Sequence, residues 1–194
     1  MRRRGASGDG AVGDDLGALA PGAAGQQHGG MISVGDYLSF VDDALNGMVT
    51  IVAELGDDLA NRRLELPDSN APFAVLTHCL GVMEYWVGSL IAGRHIERDR
   101  AAEFRATGTV PALVRQTRRA RGQLEDDLAG FDPFAPPLAL PLAAHLRRCP
   151  EDADLPLTRT QGGVLLHVYE ELAQHRGQME SCRDVLLAPW AIRV

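Results

Sequence analysis

From Val34 onward the apolar positions fall at Val34, Leu38, Val41, Leu45, Met48, Val52 and Leu55, alternating steps of four and three that draw one stripe along a helix. Ser33, with Asp36 three residues on, has the form of a capping box with Asp in the Glu position. A second helix is predicted from Phe73, Leu76, Leu80, Met83, Val87 and Leu90, opened by Ser69/Asn70 and Pro72 and closed near Gly93. A third, weaker stripe runs through Val110, Leu113, Thr117, Ala120, Leu124 and Leu128, with Thr109 as N-cap and Pro111 in the first turn. The fourth reads Leu165, Val168, Leu172, His175, Met179, Cys182 and Leu186. Alternating strand patterns are almost absent. Four amphipathic segments of about 20 residues predict an all-α fold, a four-helix bundle.

Between the third and fourth helices, residues 131–160 carry six of the 11 prolines, so the connection is predicted to be a long, mostly non-helical crossover. Leu138 to Arg148 has room for one short helix inside it. Residues 1–30 hold nine glycines and six alanines with no apolar period, the pattern of a disordered tail that cannot offset its chain entropy. Met31 directly precedes the first patterned segment, which leaves Met1 and Met31 both open as the start. The expected organisation is a tail over 1–30, a folded domain over 31–187 and a short C-terminal tail over 188–194.

Composition narrows the function classes. The chain of 194 residues suits one globular domain, and no run of 18 apolar residues exists to span a membrane. All 19 basic residues are arginine, and with the many Gly, Pro and Ala residues this has the look of a high-G+C bacterial source. A net charge of −7, with no basic cluster beyond Arg118, Arg119 and Arg121, argues against a nucleic-acid surface. Cys79, Cys149 and Cys182 form no CxxC, and no hydrophobic stretch follows Arg4 as in a signal peptide. The expected compartment is the cytoplasm.

The candidate chemistry lies on the fourth stripe, apolar at six positions and histidine at one. Glu171 stands one turn before His175, and the same row reaches His167 and Gln178. A carboxylate and an imidazole beside a core are costly unless paired or bound to a metal. On spacing alone they read either as an i,i+4 pair at the wet edge of the stripe or as ligands. On the second helix His78 lies between Val75 and Val82 on an inward-leaning row, and by itself reads as a core histidine. Together the two helices offer a His/Glu/His set that leaves a fourth position open, as in catalytic zinc sites. A di-iron carboxylate bundle is a poor match, because it needs Glu-x-x-His twice and this chain has Glu-x-x-x-His once. Cys79 and Cys182 read as core, His95 as a helix-end cation, and His28 and His145 show no partner in the sequence.

Residues 31–187 resemble the DinB-like (YfiT-like) superfamily of four-helix-bundle metalloproteins, and within it the mycothiol-dependent members. The resemblance rests on Leu76-Thr77-His78 with Gly81 to Trp86, on Gly93-Arg94 and Glu97 to Arg100, and above all on Leu165 to Gln178. Many relatives have histidine four residues before the His-Arg-Gly-Gln stretch, where this chain has Glu171. That departure resembles instead the mycothiol-dependent maleylpyruvate isomerase branch, with His, Glu and His as zinc ligands. The resemblance therefore implies His78, Glu171 and His175 as metal ligands, zinc as the metal with nickel as alternative, and mycothiol as thiol cosubstrate.

The activity expected from it is a mycothiol-dependent S-transferase or isomerase acting on an electrophilic substrate. His167 is the candidate proton carrier or partner to a ligand, while Arg176 and Gln178 are candidates to orient ligands or bind the thiol's polar body. Tyr85 and Trp86 are candidates to wall the pocket or to pack the core. A metal-binding stress or sensor protein without turnover, and a metal-free interaction bundle, stand beside the enzyme reading. Monomer and homodimer are both open.

Overall fold

A computed structural model of the protein describes residues 32–67, 69–138 and 159–188. Among them the chain is all-helical, in the order α1 (Val34–Ala60), α2 (Pro72–Met83), a π-helical turn (Glu84–Ser89), α3 (Arg100–Glu103), α4 (Val110–Asp127) and α5 (Gln161–Leu187). The tail over 1–30, Met31, His28, His145, Cys149, nearly all of the short helix expected after Leu138, and residues 189–194 lie outside the described residues.

The capping box at α1 forms as its sequence requires: Ser33 Oγ accepts from the Asp36 backbone N at 3.0 Å, and the Asp36 carboxylate accepts from the Ser33 backbone N at 3.1 Å. Near its end α1 kinks at Gly56, whose φ of 66° suits a residue without Cβ. Beyond the kink Asp57 and Asn61 reach the start of α4. Asp57 Oδ1 accepts from the Val110 backbone N at 2.7 Å, and Asn61 exchanges two hydrogen bonds with the Gly108 backbone. Thr109 is the N-cap residue expected, yet its side chain makes no capping bond; Asp57 satisfies that end from another helix.

The start of α2 differs from the expectation. Its N-cap is Ala71, without a side-chain cap, because the Ser69 hydroxyl donates to the Leu64 carbonyl instead. Pro72 sits in the first turn, where no backbone N–H is needed. The helix then widens into the π turn, burying Tyr85, Trp86 and Val87 in succession. α3, a single turn capped by Asp99, was not foreshadowed by any apolar period.

α1 packs against α2, α4 and α5, and α2 packs against α3, α4 and α5 as well. The predicted stripes meet in one core: Val41, Met48 and Val52 from α1, Val75 and Leu76 from α2, Leu113 from α4, and Val168, Leu172 and Met179 from α5 are all essentially inaccessible. Each fully buried side chain of this size contributes about 1.5–3 kcal/mol. On α5 the one interruption of that apolar line is His175. No helix among the described residues is long and apolar enough to cross a membrane.

Candidate metal centre

α2 and α5 pack side by side, and their contact brings His78 against Glu171 and His175. One ligand atom from each lies within 4.8 Å of the others. Glu171 Oε2 stands between the rings, 3.5 Å from His78 Nε2 and 3.4 Å from His175 Nε2. The two imidazoles meet edge to face, 5.0 Å between centroids. Ligands held at about 2.0–2.1 Å around a tetrahedral cation are separated by about 3.3 Å, so these separations suit a shared ion. His78 is buried, whereas the side chains of Glu171 and His175 are 30% and 21% exposed, which leaves one side of the group accessible.

His78 Nε2 is buried and makes no hydrogen bond. An imidazole nitrogen left in that state costs free energy that a cation would recover. Two imidazole nitrogens and a carboxylate oxygen are also the donor chemistry that borderline divalent metals such as zinc accept. The residues therefore fit a metal.

The electrostatics point the same way. The contact with His175 is the largest influence holding the Glu171 carboxyl well below the usual carboxylate range, against the opposing effect of burial, and the nearby His167 adds to this. His175 is raised, chiefly by its hydrogen bond to Glu171. Burial, followed by the charge of Glu171, pushes the Cys79 thiol far up, so it is an inert core thiol.

Each histidine is held at its other nitrogen. His175 Nδ1 lies 2.8 Å from Gln178 Oε1, so Gln178 holds the ring from the side away from Glu171. His78 Nδ1 lies 2.8 Å from Glu103 Oε2, Arg98 grips that carboxylate at 2.7 and 2.9 Å, and Phe104 stacks on the His78 ring at 4.3 Å. Burial alone would raise the Glu103 carboxyl; the hydrogen bonds from His78 and Arg98 outweigh it and leave the group lowered. Glu103 and Phe104 carry no signal in the sequence: they lie 25 and 26 residues from His78, at the end of a one-turn helix with no apolar stripe.

The remaining candidates separate. His167 sits two turns before His175 with its ring edge-on to Trp86, 4.7 Å between centroids, and is half-buried. Trp86 and Tyr85 are both buried in the core. Arg176, on the face of α5 that packs against α1, bonds Asp43 on α1 at 2.5 Å and Glu180 at 3.1 Å through its guanidinium. Gly47 opposite lacks the Cβ that would crowd that guanidinium. His95 is exposed beyond α2. A cavity of about 420 Å³ between α2 and α4 touches Glu103 and Gly81 but none of His78, Glu171 and His175.

No curated protein and no solved structure matches this chain. The family model described as Mycothiol-S-transferase matches residues 36–187, from the first turn of α1 to the end of α5. That stretch contains the whole His/Glu/His group with the residues that hold it, and the chain belongs to the mycothiol S-transferase family.

Proposed function

We propose that the protein is a metal-dependent, mycothiol-using S-transferase in which His78, Glu171 and His175 hold one divalent cation. Zinc is the metal the donor set favours, with nickel the alternative. The observation that carries the reading is the convergence of three donors around the unpartnered Nε2 of His78. A cation bound there supplies the Lewis acidity that lets an incoming thiol lose its proton near neutral pH.

This chain's own residues do the rest. Gln178 orients His175 through Nδ1, and Glu171 stays ionised throughout the physiological range. His167, half-buried beside Trp86 two turns before His175, is the candidate to carry the proton released by the thiol. The electrophile, a small molecule, approaches from the accessible side of Glu171 and His175. An isomerase in the same family would share thiol deprotonation and differ in what leaves.

The reading includes a four-helix bundle of α1, α2, α4 and α5 joined by the Pro-rich crossover, with the domain at 31–187 and tails on either side. It also includes a cytoplasmic location, which the buried free thiols of Cys79 and Cys182 fit.

Elemental analysis of protein purified without chelator tests the metal: about one zinc or nickel per chain is expected, lost in His175→Ala and Glu171→Ala. Wild type that holds no metal and takes up none on titration overturns the assignment. Calorimetry of mycothiol on the zinc-loaded protein tests the thiol, and saturable heat is expected. Metal without any thiol heat would assign a metal-binding role without turnover.

A further inference from the structure

We infer that Glu103, anchored by Arg98 and admitted by the missing side chain of Gly81, is a positioning residue that fixes His78 in the tautomer whose Nε2 lone pair faces Glu171 and His175. The inference rests on the metal reading above, because it concerns how one of the three ligands is presented.

A neutral imidazole carries one N–H, and two carboxylates stand ready to accept it. Glu103 lies 2.8 Å from Nδ1 and Glu171 lies 3.5 Å from Nε2. A carboxylate is an acceptor, so the shorter contact holds the proton at Nδ1 and leaves Nε2 as the bare nitrogen. Arg98 Nη2 is also 3.3 Å from Nδ1, but it is bonded to Glu103 Oε2 at 2.9 Å and so serves the carboxylate first. The lone pair of Nε2 is then directed toward Glu171 and His175, where a cation would accept it. This is the carboxylate–histidine–metal relay, in which the outer carboxylate sets ring orientation and ligand basicity.

The surroundings are built for that purpose. The side chains of His78, Glu103 and Arg98 are 2%, 11% and 8% exposed, so the relay is shielded from competing water. Phe104, the residue after Glu103, stacks on the ring and fixes its plane. Gly81 is three residues after His78 on α2, hence its neighbour on the same face. A Cβ at Gly81 would overlap Glu103 Oε1 and lie 2.7 Å from its Cδ. The His-x-x-Gly spacing therefore cuts a notch beside the ligand, and the carboxylate that enters it comes from α3.

The test uses the full chain as wild type and as the Gly81→Ala, Glu103→Ala and Glu103→Gln variants. Nitrogen-15 NMR of the histidine rings in metal-free protein near pH 8 reads the tautomer, and zinc titration against a competing chelator reads the affinity. Wild-type His78 is expected as Nδ1–H. Glu103→Ala should populate both tautomers and weaken zinc binding about ten- to a hundredfold. Gly81→Ala, which alters no charge and no ligand, should weaken it in the same direction and keeps the test open should Glu103→Ala fail to fold. Glu103→Gln retains an oxygen acceptor for Nδ1–H, so it should keep the tautomer and lose less affinity than Glu103→Ala. The inference is overturned if wild-type His78 is Nε2–H, or if folded Glu103→Ala or Gly81→Ala binds zinc as wild type does. Wild type that takes up no zinc would end the metal reading, while the tautomer measurement would still decide what Glu103 does to His78.

Discussion

Arg94 holds Asp127 through two parallel hydrogen bonds, Nε to Oδ1 at 2.9 Å and Nη2 to Oδ2 at 2.7 Å, and so ties the chain leaving α2 to the last turn of α4. Gln123 adds a third bond to the same carboxylate, whose side chain is 4% exposed. Gly88 makes room for the pair, since a Cβ there would lie 2.5 Å from Arg94 Nη2. Because Arg94 itself is one-third exposed, solvent screens part of the interaction. Asp127→Ala is expected to lower unfolding stability by about 1–3 kcal/mol in urea titration, and to leave zinc uptake unchanged, since the bonds of this pair involve none of His78, Glu171 and His175.

Metal binding should be visible as stability. A cation that binds the folded chain at a free concentration one hundred times its dissociation constant adds about 2.7 kcal/mol. For a domain of this size that is a rise of about 5–10 °C in Tm. Scanning calorimetry with and without zinc should show the rise in wild type and its loss in Glu171→Ala. An unchanged Tm in wild type across a saturating zinc series would count against a site formed by the folded state.

Metal uptake should depend on pH through His175. Its hydrogen bond to Glu171 raises the ring above the usual 6.5, so a bound proton stabilises the folded metal-free protein. That contribution is complete below about 6.5 and is lost as pH rises through the raised folded value. A metal requires the neutral ring, so affinity runs the other way and climbs with pH until the raised value is passed. Glu171 is held well below 4.5 and needs no proton removed near neutrality. Zinc titrations of the wild type in two buffers of different ionisation enthalpy should therefore report net proton release at pH 7, and less release as the pH is taken above the raised value. Identical heats in both buffers would contradict it.

Gln178 and Arg176 should separate in the same assay. Gln178→Ala removes the acceptor at His175 Nδ1 and is expected to weaken zinc binding by about tenfold or more. Arg176→Ala removes ion pairs to Asp43 and Glu180 on a partly exposed face, for a cost below about 1 kcal/mol and no change in zinc affinity. Mycothiol calorimetry on Arg176→Ala should match wild type; a lost thiol heat would return Arg176 to the binding of the thiol.

Much of the helical layout was legible in local order. The stripes through Val34 to Leu55 and Leu165 to Leu186 mark helices because apolar steps of three and four can form one buried face only in a helix. The Ser33–Asp36 box was legible because both partners lie within one turn. Caps made across the chain were not: Asp57 serves α4 from 53 residues away, and Ser69 turns from α2 to the Leu64 carbonyl. At the candidate site, the inward rows of His78 and His175 and the i,i+4 spacing of Glu171 were readable; spacing allowed the three to meet and the resemblance implied it, and the structure brings them within 4.8 Å of one another.

The sequence by itself determined the periodic elements, the acidic lysine-free surface and the presence of imidazole and carboxylate on inward rows, since these depend on neighbours a few positions apart. The tertiary structure alone decided that α2 lies beside α5, so that His78 meets Glu171, and that a one-turn helix with no pattern of its own delivers Glu103 to the far nitrogen of His78. It also decided that Arg176 serves α1. The physical reason is the same in each case: a charged or polar side chain takes whichever partner packing brings within hydrogen-bond distance, and packing is set by the whole core rather than by any short stretch of chain.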